Sequence, residues 1–132
     1  MEYTIDFKCV NDNYDDITEE AVQKSGVSFP EVHYSGEDMA KLAKAVRICD
    51  RDTMSMVPFC MTVEAEAFGA DIKMGDMKKG PRVSNYVFKN MEDFEKIKPI
   101  DLNKGRISQV LKAVKILSSS GEKTALAVQG PF

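Results

Sequence analysis

Tryptophan is absent from these 132 residues, and histidine occurs once, at His33. Cysteine is scarce: Cys9, Cys49 and Cys60 are odd in number and contain no CxxC pair. They read as free thiols, and a disulfide framework is excluded. His33 with Cys49 and Cys60 matches the spacing of no compact zinc module, so no metal ligands are assigned to this chain. Neither sign of charge dominates, with 18 lysines and arginines against 21 aspartates and glutamates, a net charge of −3. That balance makes no electrostatic case for binding nucleic acid or an acidic membrane. No apolar run approaches the roughly 18–20 residues of a membrane span. The opening "MEYTIDFKCVND" also lacks the basic and apolar regions of a secretory signal. The expected location is the cytoplasm.

What is present is an alternation of two periods. Tyr3, Ile5, Phe7 and Cys9 share one face of an expected first strand, Met1 to Val10. Asp16 or Thr18 can cap a short helix that Gly26 ends in the left-handed region. Ser35 is a good N-cap for a helix from Gly36 to about Ile48. Its stripe is Met39, Leu42, Ala43, Val46 and the stem of Arg47, and the charged ends of Lys41, Lys44 and Arg47 face outward. Met54 to Phe59 reads as a buried strand, "TVEAEAFG" as one or two helical turns that Thr62 can cap, and "ADIKM" as strand-like. "GDMKKGPRVSNYVF" is a Gly/Pro-punctuated excursion. Asn90 caps a segment that stops before Pro99. A final helix from Lys104 or Gly105 to Ser118 carries Ile107, Val110, Leu111, Val114 and Leu117 on one stripe, and "TALAVQGPF" is a further strand. Eight methionines read as adaptable core filler.

Strands alternating with helices, the strands nearly continuous in apolar residues, define an α/β protein with parallel strands and one domain over residues 1–132. Such scaffolds place chemistry in the loops after the strands' C-terminal ends. "VPFCMTVEAEAFGA" and the terminal "QGPF" lie there. Cys60 lines a pocket or fills space at a strand end. Glu64 and Glu66, two residues apart on a helix, point about 200° from one another at 100° per residue. One therefore faces the site and the other solvent, and Glu64 is the candidate for the site. His33 either approaches a substrate or anchors its loop.

"FPEVH", "MAKLAKA", "VPFCMTVEAEAFGADIKMG", "GPRV", "DLNKGRISQVLKAVKIL" and "GPF" in this order resemble the uroporphyrinogen decarboxylase superfamily. Within it they are most similar to the corrinoid-dependent methyltransferases acting on coenzyme M. The resemblance runs from about Glu20 to Phe132. It implies a (βα)8 TIM barrel, of which 132 residues cover only the first several βα units of a partial barrel, since complete barrels take roughly 250 residues. It implies methyl transfer from a methylcobalamin protein to a thiol such as coenzyme M, with zinc and methylcobalamin serving the complete enzyme. Neither is expected to be bound by this chain alone. The zinc ligands implied are a His-x-Cys pair and a distant cysteine in the later half of the barrel. Here His33 is followed by Tyr34 and Ser35. The family's decarboxylases carry a substrate-facing aspartate where Cys60 stands, and a thiol cannot replace it. Lys78, Lys79 and Arg82 form a small basic cluster around Gly80-Pro81 that either meets an anionic group, such as a sulfonate or a corrinoid phosphate, or stands on a solvated loop.

The expected site therefore has no catalytic residue and comprises substrate-binding His33, Cys60, Thr62 and Glu64. The expected partners are a corrinoid protein and either a missing C-terminal half or a second copy of the chain. A corrinoid- or tetrapyrrole-binding module without catalysis is the alternative.

Overall fold

The computed structural model describes residues 17–130; the expected first strand, Cys9 and Asp16 lie outside them. Helix α1, Glu19–Ser25, is capped by Thr18, whose Oγ1 accepts from the Ala21 N–H at 3.3 Å. It ends at Gly26, with φ +69°, a conformation that glycine adopts without a Cβ penalty. A 3₁₀ turn over Glu31–Tyr34 carries His33. Helix α2, Gly36–Asp50, starts where the Ser35 Oγ accepts from the Asp38 N–H at 3.2 Å. It buries Met39, Leu42 and Ala43 as the periodicity predicts.

Arg47 departs from the outward-facing prediction. Its Nε lies 2.8 Å from the Glu122 carboxylate, and its Nη2 donates to the same group at 3.3 Å. Ser55, fully buried, donates to Glu122 as well. A half-buried carboxylate needs these partners, and two elements that meet at the N-terminal ends of the strands supply them.

Strand β1, Ser55–Val57, pairs in parallel with β4, Thr124–Leu126, in the register Ser55↔Thr124 and Val57↔Leu126. Both are shorter than the segments predicted. Helix α5, Gly105–Ser119, lies on this pair beside α2 and precedes β4. Met39, Ala43, Val57, Val63, Val110, Ala113 and Leu117 form the core between these elements. A second apolar group, Ala21, Val32, Leu42 and Ala45, seats α1 on α2, and Phe59 touches both groups. Each such large apolar side chain contributes about 1.5–3 kcal/mol on burial. The buried face of α5 is Arg106, Val110, Ala113 and Leu117, rotated from the predicted stripe, and Leu111 is exposed.

The excursion after β1 is more ordered than its glycines and prolines suggested. Helix α3, Val63–Ala67, follows β1 directly. Strands β2, Asp71–Lys73, and β3, Arg82–Asn85, then form an antiparallel hairpin, so the described strands are not all parallel. Gly75, at φ +69°, closes the hairpin loop, where a Cβ would meet the Lys79 carbonyl oxygen. Helix α4, Met91–Phe94, is capped by Asn90 and is a single turn, well short of Pro99. Among the described residues no helix is long and apolar enough to cross a membrane.

Candidate functional site

The chain carries one arginine where an apolar residue would fit. Arg106 sits one turn before Val110 on the buried face of α5 and is 2% exposed. A guanidinium taken out of water requires hydrogen-bond acceptors around its whole edge. The loop after β1 provides them. Arg106 Nε donates to the Glu66 carboxylate, Nη1 donates to the Cys60 sulfur at 3.2 Å, and Nη2 donates to the Thr62 hydroxyl at 3.0 Å and its carbonyl at 3.4 Å. The Thr62 hydroxyl in turn donates to the Cys60 sulfur at 3.6 Å. One cation thus fixes three residues of the segment leaving the C-terminal end of β1.

His33 lies against the same helix. It is 3% exposed, its ring meets the Phe29 ring edge-on at 5.5 Å, and its Nδ1 has no hydrogen-bond partner. Burial pushes its pKa down to about 4, and the Arg106 charge adds to the shift. A neutral imidazole is the form that this apolar seat accepts.

The four sequence-predicted residues are not equally joined. Cys60 and Thr62 meet at Arg106, and His33 feels its charge. Thr62 stands at the N-cap position of α3, but its hydroxyl makes no cap bond, because Arg106 engages it. Glu64 points elsewhere and accepts from the Gln129 N–H at 3.1 Å, tying the loop after β1 to the loop after β4. The two acids do diverge, yet neither is simply solvated, since Glu66 holds Arg106 and Glu64 holds Gln129. Arg106 and Glu66 complete the cluster, and the sequence reading had assigned neither to the site. A usable signal existed: Arg106 is in helical phase with Val110, Ala113 and Leu117, and a cation in an apolar stripe demands a partner.

A cavity of about 210 Å³ opens beside this cluster, lined by Glu66, Asp101, Lys104, Arg106 and Ile107. Chemically the cluster is a positioning device. The side-chain partners of Cys60 among the described residues are a guanidinium and a hydroxyl, and no base is in hydrogen-bond reach of its sulfur. Nor do the described residues bring three or more histidine, cysteine, aspartate or glutamate side chains together in a group able to hold a metal ion. The zinc implied by the resemblance therefore finds no donor set in the described part of this chain.

The architecture and the cluster together define an α/β scaffold with a polar site at the C-terminal ends of parallel strands. Residues 15–132 match the uroporphyrinogen decarboxylase (URO-D) family, and the chain belongs to it. It is 44% identical over 118 residues to the methylcobamide:CoM methyltransferase MtbA of Methanosarcina acetivorans, covering 87% of this chain and 35% of that protein. MtbA of Methanosarcina mazei is 45% identical over the same shares. A methylcobamide:CoM methyltransferase MtaA of Methanosarcina barkeri is 37% identical over 74% of this chain and 29% of its own length. Among solved structures, a methyltransferase from Methanosarcina mazei superposes with a TM-score of 0.76 at 32% identity, covering 88% of this chain and 36% of that one. The chain spans about a third of the length of the relatives it matches.

Proposed function

We propose that this chain forms the N-terminal portion of a (βα)8 barrel in a corrinoid-dependent methyltransferase, carrying a methyl group from a methylcobalamin protein to a thiol such as coenzyme M. The observation that carries the reading is the similarity to two methylcobamide:CoM methyltransferases over 87% of the chain. The crossover from β1 through α5 to parallel β4 and the polar cluster at the C-terminal ends of these strands support it. In this reading the chain's own residues bind and orient. Arg106 sets the loop containing Cys60 and Thr62 and holds it against the start of α5. Glu64 accepts from the Gln129 N–H and so ties α3 to the loop after β4. No step is assigned to zinc, because the described residues supply no site for it. The methylated corrinoid is a substrate delivered by a partner protein.

The test is complementation. This chain is combined with a polypeptide spanning the remainder of the Methanosarcina mazei relative, and loss of the cobalt–methyl absorbance is followed with coenzyme M as acceptor. Methyl transfer by the mixture, and by neither part alone, is the expected result. A stable complex without transfer would overturn the methyltransferase reading. Methylcobalamin retained by this chain alone in equilibrium dialysis, with no transfer by the complex, would replace it with the binding module.

A further inference from the structure

No further inference is drawn: the strongest candidate, the cavity of about 210 Å³ at the start of α5 between Glu66, Asp101, Lys104 and Arg106, belongs to the site already described, and its four charged side chains pair with one another, so that nothing in the structure shows what it would hold.

Discussion

Arg106 is the residue on which the site turns, and its energetics separate it from the surface ion pairs. Its side chain is 1% exposed and that of Glu66 is 30% exposed, so the pair is screened on one side only. Removing the arginine leaves an uncompensated carboxylate and takes a donor from three further acceptors, the Cys60 sulfur and the Thr62 hydroxyl and carbonyl. Arg106→Met is expected to cost about 2–4 kcal/mol in urea denaturation, at or below the range for breaking a fully buried pair because water reaches part of Glu66. A double-mutant cycle with Glu66→Gln should give a coupling above about 1 kcal/mol, whereas the exposed Lys24–Glu20 pair should couple far more weakly. A coupling no larger than that of the exposed pair would show that Arg106 is held by packing alone. His33 gives the second residue-scale expectation. Its folded pKa of about 4 lies below the ordinary 6.5, so between these values the unfolded chain binds a proton that the folded chain refuses. Stability is therefore full above pH 6.5 and falls as pH drops toward 4, by a total on the order of 3 kcal/mol. His33→Leu should flatten that slope between pH 7.5 and 4.5, and an unchanged slope would assign it to carboxylates.

At the scale of elements, α2 and α5 approach closely where α2 begins. The Gly36 N–H donates to Gln109 Oε1 at 3.0 Å, and a Cβ on Gly36 would lie 2.6 Å from the Gln109 carbonyl oxygen and 2.8 Å from Lys112 Cβ. Two effects of Gly36→Ala oppose one another. Helix propensity gains up to about 1 kcal/mol, while forcing a methyl against backbone costs about 1–3 kcal/mol. The contact wins because a carbonyl cannot swing aside as a side-chain tip can. Thermal denaturation should show a lowered Tm, and a raised Tm would mean that the helices separate freely. The same helices show what was legible in advance. Ser35, Thr18, Asn90 and Gly26 announce element ends through local chemistry, and the structure uses each as a cap. The hairpin β2–β3 was not legible, because its pairing joins residues nine or more apart across Gly and Pro punctuation. The rotated face of α5 was missed for a related reason. Arg106 is in phase with Val110, Ala113 and Leu117, but its charge ranks it as polar, and only the acceptors gathered by the loop after β1 make its burial favourable. Cys60 and Thr62 could be expected near a pocket from their place after a strand; the cation that joins them comes from more than 40 positions along the chain.

At the scale of the whole molecule, the β1–β4 pair is covered on one face and open on the other. Ser55 and Val57 are fully buried, while Met56 between them is 56% exposed. Met54, two residues before it and in phase with it, is exposed too, as is Met61 beyond the strand, so the open face carries large apolar side chains in water; Leu126, the register partner of Val57, points to the covered side. Parallel sheets are stable with both faces covered, and an apolar face in water promotes association. The relatives are about three times as long as the stretch matched here, and in the proposed reading the remainder of such a protein is the natural cover. In their absence, sedimentation at tens of micromolar is expected to show concentration-dependent self-association. Met54→Glu with Met56→Glu should return the chain to a monomer with its helical circular dichroism unchanged, since neither side chain lies in the core. Adding the remainder of the relative should act in the same direction on the unaltered chain, replacing self-association by a one-to-one complex, because both associations compete for one face. A monomer at these concentrations, or self-association insensitive to the two glutamates, would mean that this face is not where the proposed barrel would continue. The complementation experiment would then have no surface on which to work.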